Sequence, residues 1–142
     1  MLRARRISPL LAALLAVGCS THVDLAELTE VDPAGWFSPA EIRFEVADTV
    51  SRAQMQLIVR YDNIISADSV ELLVSTTTPD GVMWCEPFTV YTPHGDHSIL
   101  LIESLYRDKI RWSQMGTYTI SLHPQQLYRG VSAVGVNIIY KE

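Results

Sequence analysis

Apolar residues recur at every second position along most of this chain, and that period of two constrains its fold more than any other feature. IRFEV places Ile42, Phe44 and Val46 on one face, and MQLIVRY does the same with Met55, Leu57, Val59 and Tyr61. VELLVST alternates Val70, Leu72 and Val74; FTVYT carries Phe88 and Val90; TYTISLH carries Tyr118, Ile120 and Leu122; AVGVNIIY carries Val134, Val136, Ile138 and Tyr140. Successive side chains of an extended strand point to opposite faces, so each run offers one apolar face to a core. HSILLIE (97–103) is more continuously apolar, as a strand covered on both faces is, or a helical segment. SLYRDKIRWSQ (104–114) admits a helical turn or a short strand.

Turn chemistry separates the runs. TPDG at 78–81 sets a proline before Asp-Gly, and TPHGD at 92–96 repeats the device. YDN at 61–63 and MGT at 115–117 are weaker breaks, and HPQQLYRG at 123–130 stops one strand at Pro124 and returns the chain at Gly130. Short strands at this spacing predict an all-β fold: an antiparallel β-sandwich, jelly-roll or Ig-like, of about seven or eight strands.

The first twenty residues, MLRARRISPLLAALLAVGCS, have a different character. Arg3, Arg5 and Arg6 form a cationic head, and Ile7 to Val17 is uncharged and apolar. That run is shorter than the roughly 20 residues a bilayer crossing takes. A basic head, a short apolar middle and small residues at the end make an export-signal pattern. Two cleavage readings compete: an ordinary signal cut after small residues, and a bacterial lipoprotein box. Ala16-Val17-Gly18-Cys19 resembles the latter, with Ala16 where leucine is usual. In lipoproteins the Cys thiol is acylated and the chain is cut just before it. One acyl chain anchors marginally, at about 0.8 kcal/mol per buried methylene, whereas the two or three implied by that resemblance hold firmly. The expected organisation is a lipoprotein signal peptide at 1–18, a tether at 19–35 with a helical turn over DLAELTE, and one domain at 36–142.

Composition narrows the partners. The chain has 142 residues, 11 basic and 16 acidic, for a net charge of −5. Loss of Arg3, Arg5 and Arg6 with the signal leaves 8 basic against 16 acidic, net −8. No basic run remains to neutralise a phosphate backbone, so nucleic acid is not an expected partner. With Cys19 acylated, Cys85 in VMWCEPF is the one thiol left; it reads as a small buried hydrophobe, the alternative being a bridge between chains.

Few residues suggest chemistry. His94, Asp96 and His97 in HGDH could supply ligands to zinc if a fourth arrived from elsewhere, but a solvated hairpin loop explains them more simply. Asp62, Asp68, Asp80 and Asp108 read as turn carboxylates bonding their own backbone. No Gly-rich phosphate loop or serine-nucleophile motif is visible, and neither a catalytic residue nor a cofactor is expected. Trp36, Trp84, Trp112, Tyr91 and Tyr128 could stack on a sugar or a partner protein, or fill the core. Tyr128 and Arg129, in the returning loop, are the expected exposed contact pair.

Cys19 is followed by Gly35-Trp36, an FEV strand at 44–46 with Asp48, and Pro-Asp-Gly at 79–81. Arg111-Trp112 then precedes GTYTI at 116–120, and LYRGVSAVGVNI closes the series at 127–138. This order of features is similar to that of the gliding-motility lipoproteins of the GldH type, found in Bacteroidetes. The match spans nearly the whole chain after the signal and is poorest at 97–107. It implies a lipid-anchored outer-membrane protein facing the periplasm, a non-catalytic adaptor in gliding or type IX secretion, with Cys19 as its lipidated residue. Its partners would be the membrane and an envelope protein complex. The alternative is an envelope glycan-binding module using an aromatic face; a metal-dependent hydrolase rests on HGDH alone.

Overall fold

A computed structural model describes residues 24–62, 67–93 and 99–141. Cys19, His94, Asp96 and His97 lie outside the described residues. Eight strands follow one another: β1 (Leu25–Glu30), β2 (Ala40–Val46), β3 (Arg52–Asp62), β4 (Ser69–Thr77), β5 (Met83–Tyr91), β6 (Ile99–Ile110), β7 (Gly116–Pro124) and β8 (Val131–Lys141). They form two antiparallel four-stranded sheets, ordered β1-β8-β3-β6 and β2-β7-β4-β5. β1 pairs with β8, β2 with β7, β3 with β6 and β4 with β5, so the chain is one long hairpin rolled up around its central turn. Four and four in this order is the jelly roll, not the four-plus-three arrangement of an immunoglobulin constant domain.

That central turn is Pro79-Asp80-Gly81. The Thr78 N–H donates to the Val82 carbonyl at 2.9 Å, and the Gly81 N–H returns to the Thr78 carbonyl at 2.9 Å. Gly81 stands at φ +88°, a backbone region cheap for glycine and strained for other residues. The Thr78 hydroxyl donates to Asp80, and this bond leads the causes that hold the Asp80 carboxyl below its usual range.

The alternation read from the sequence becomes the space between the sheets. Leu57, Val59, Val134 and Val136 from one sheet meet Val70, Val74, Ile120 and Leu122 from the other, all fully buried. Each such side chain contributes about 1.5–3 kcal/mol. At one end Phe44 stacks on Tyr118 with ring centroids 5.8 Å apart, and Trp112 closes over both at 5.5 and 4.9 Å. At the other end Trp36 and Tyr128 exchange backbone hydrogen bonds of 2.7 and 3.0 Å.

Three expectations about elements change. The tether expected over 19–35 contains β1, and DLAELTE is strand rather than helix. Leu, Ala and Glu favour helix, but six residues of pairing with β8 override that weak preference. Gly135 permits the approach: a Cβ there would lie 2.0 Å from the Glu27 carbonyl oxygen. The segment after β1 is bound as well, through Val31 to Ser132 and Gly130 to Pro33. The described part of HSILLIE, 99–103, is neither helix nor doubly covered, because its strand, β6, is the edge of its sheet and leaves Leu101 and Leu105 half exposed. The ambiguous run from 104 continues β6 to Ile110.

Candidate functional site

Pairing register determines which side chains look outward. On the β1-β8-β3-β6 sheet, Leu28 lies opposite Gly135, Gly135 opposite Ile58, and Ile58 opposite Glu103, so these four line one row across all four strands. The next rows add Glu30, Ala133, Arg60 and Leu101 on one side, and Ala26, Asn137, Gln56 and Leu105 on the other. Ile58 is only 3% exposed, yet it is not among the residues buried between the sheets. It is covered on the outside of the molecule. Leu28, Leu101 and Leu105 stand around it at 47%, 51% and 51% exposure.

The outward face of the other sheet has opposite chemistry. Glu41, Arg43 and Glu45 from β2, Thr117, Thr119 and Ser121 from β7, and Ser75 and Thr77 from β4 make it charged and hydroxyl-rich. Its apolar residues, Leu73, Met83, Pro87 and Tyr91, are gathered on β4 and the edge strand β5. Cys85 lies on this face, exposed, with its Sγ 2.8 Å from the Ser75 Oγ. The expectation of a buried thiol is therefore corrected: β5 turns Glu86 and Phe88 inward, and Cys85 takes the alternate phase.

A cleft of about 240 Å³ opens at the end of the sandwich closed by Trp112. Met55, Thr76, Trp84, Tyr106, Arg111 and Trp112 are among its walls. At its side β5 and β6 meet through one carboxylate. Tyr106 and Arg107 both donate to Glu86, and the Arg107 guanidinium carbon lies 5.1 Å from the centre of the Tyr106 ring. The Tyr106 hydrogen bond, with Arg107 beside it, holds the Glu86 carboxyl below its ordinary range. Burial, reinforced by the bond to Glu86, pushes the Tyr106 phenol far above its ordinary value. The carboxylate stays ionised and the phenol protonated across the physiological range. The network is therefore a clasp between the sheets, poorly suited to proton transfer near neutral pH.

The expected contact pair splits. Arg129 is exposed, but Tyr128 is only 2% exposed, and its hydroxyl accepts the Glu71 N–H at 2.7 Å. Tyr128 straps the returning loop to β4, so its ring is structural. Trp36 and Trp112 are also buried, whereas Trp84 is 45% exposed at the cleft and Tyr91 75% exposed on the β5 edge. These aromatics do not line up on one sheet face. Asp108 falls inside β6 rather than at a turn, although its carboxylate does accept a local bond, from the Lys109 N–H. Among the described residues no group of three His, Cys, Asp or Glu is placed to hold a metal ion, and no helix is long and apolar enough to cross a membrane.

Sequence reasoning passed over the outward apolar residues, although the signal was present. Ile58 interrupts the alternation of MQLIVRY, and Leu101 interrupts that of ILLIE; each is apolar in the phase that should be polar. Comparisons with protein-family models, curated proteins and solved structures find no match for this chain.

Proposed function

We propose that this chain is an outer-membrane lipoprotein of the GldH type, anchored through Cys19. It would act as a structural adaptor in an envelope complex associated with gliding motility or type IX secretion. The observation that carries the adaptor reading is the apolar row Leu28–Gly135–Ile58 with Leu101 and Leu105 beside it. Exposed apolar side chains gathered on one sheet face, here interspersed with Arg60, Gln56 and Glu103, suit a protein-docking face. The basic head, apolar run and Ala-Val-Gly-Cys box support the anchor, and the order of motifs supports the family.

The test is crosslinking and co-purification from native membranes, comparing the natural chain with one carrying Leu101→Asp and Leu105→Asp. Recovery of secretion or motility components by the natural chain, lost in the variant, is the expected result. Equal recovery by both would remove the docking face, and recovery of polysaccharide alone would remove the adaptor reading.

A second reading, an envelope glycan-binding module, draws on the cleft. Trp84 is half exposed there, beside Tyr106, Thr76 and Arg111, and an aromatic ring with nearby hydroxyls suits a sugar. Saturable binding of purified envelope polysaccharide, abolished by Trp84→Ala, would favour it.

A further inference from the structure

The fold gathers cations that the sequence scatters. Arg52 opens β3 and pairs directly with Lys141 at the close of β8, while Lys109 and Arg111 flank Ile110, which pairs with Ala53. Arg52, Lys109 and Lys141 line one open groove of about 190 Å³ with Ala53 and Asp108. Of the eight Lys and Arg residues after Cys19, these four stand on one rim of the sandwich. Arg107 is nearby but bonded to Glu86, and Arg43, Arg60 and Arg129 lie on the faces or at the far end.

The carboxylates at this end, Glu45 among them, are held by hydrogen bonds but keep their charge, so the cationic excess is confined to the groove itself, where Arg52, Lys109 and Lys141 meet Asp108 alone. Asp24 accepts the Tyr140 N–H at 3.0 Å, Asp48 the N–H groups of Val50 and Ser51, and Asp80 the Thr78 hydroxyl. Asp108 accepts the Lys109 N–H and lies 3.8 Å from the Lys141 ammonium. Among the described residues Arg52, Lys109 and Arg111 have no ion-pair partner. Lys109 also adopts φ +54°, the one non-glycine residue described with a positive φ. It sits in a bulge where Asp108 and Lys109 together face Gln54, and a lysine there occupies a backbone position that glycine adopts more cheaply.

The chain enters the sandwich at this same end, since Asp24 meets Tyr140 beside Lys141. Five residues, 20–24, separate Cys19 from β1, and they can span at most about 18 Å. We propose that this cationic rim rests on the anionic headgroups of the membrane that holds the acyl chains, so the domain stands on its end with both sheet faces clear of the lipid. The inference depends on acylation of Cys19. Arg52, Lys109, Arg111 and Lys141 meet phosphate, while Glu30, Asp32, Glu71 and Asp68, toward the opposite end, are repelled by it, which orients the sandwich.

Lys109 and Lys141 are the only lysines in the chain, so lysine labelling reports on the rim alone. The acylated protein, purified from native membranes, is reconstituted into phosphatidylglycerol-containing vesicles and into pure phosphatidylcholine vesicles. Each is treated with a membrane-impermeant amine reagent, and the labelled peptides are quantified. Labelling of both lysines is expected to be about fivefold slower on the anionic vesicles. That protection should vanish in 0.5 M salt (a reagent condition of about three times physiological ionic strength) and in the Arg52→Glu, Arg111→Glu variant. Flotation with both vesicles but equal labelling overturns the inference and leaves the anchor standing. Failure to float with either overturns the anchor and the inference together.

Discussion

The two outward faces of this sandwich share a strand count, a pairing pattern and a core, yet they present opposite chemistry. One carries threonines, serines and alternating charges over β2, β7 and part of β4, with its apolar residues confined to β4 and the β5 edge. The other carries an isoleucine that is 3% exposed although it stands outside the core between the sheets. Backbone architecture therefore does not set what a face can bind; the phase of the apolar residues does. A strand with one apolar phase builds the core alone, and a strand with apolar residues in both phases builds the core and a second, outward patch. β3 and β6 are of the second kind.

The largest effect that could break this comparison is expected at Gly135. Gly135→Val would drive Cβ into the Glu27 carbonyl and displace β1, costing about 3 kcal/mol in denaturant unfolding. An intact β1 with unchanged stability would contradict the pairing that aligns the apolar row. Next is Ile58→Ala, which should cost about 1–3 kcal/mol because the side chain is covered by its outward neighbours. Thr119→Ala, at a central position of the polar face, should cost under about 0.5 kcal/mol. Equal costs would mean that the two faces do not differ.

The clasp that joins the sheets makes a pH prediction. The Glu86 carboxyl is held below its ordinary value of 4.5, chiefly by the Tyr106 hydroxyl. Its contribution to stability is complete above that value and is lost as pH falls through the depressed folded-state value. Stability measured from pH 7 to pH 3 should fall less steeply in Glu86→Gln than in the natural chain; identical slopes would dismiss the clasp. The smallest effect on stability is expected from Leu101→Asp with Leu105→Asp, within about 0.5 kcal/mol, since both side chains are half exposed. That pair sharpens the comparison because its effect should appear in partner recovery alone.

The strands whose inward residues alternate strictly, β2, β4 and β7, were legible because burial on one face writes a period of two directly into sequence. β1 was not. Leu25 and Leu28 fall in opposite phases and, apart from Ala26, the rest of the strand is polar, so its place comes from backbone pairing with β8 and from the absence of a side chain at Gly135. Tyr128 misled for a related reason. Its loop is rich in polar residues, but the ring is drawn inward by the Trp36 bridge and by the free Glu71 amide that its hydroxyl satisfies. Local composition does not reveal such long-range demands. The cationic rim is a further case: positions 52, 109, 111 and 141 look unrelated in a net-acidic chain until three strand ends meet.

The central claim is that a protein partner covers the β1-β8-β3-β6 face and leaves the other face open. Photocrosslinking residues placed singly at Leu105 and at Thr119, activated in intact cells, test it most directly. A discrete crosslinked envelope protein from position 105 and none from 119 is the predicted result. The same product from both positions, or from 119 alone, would contradict it.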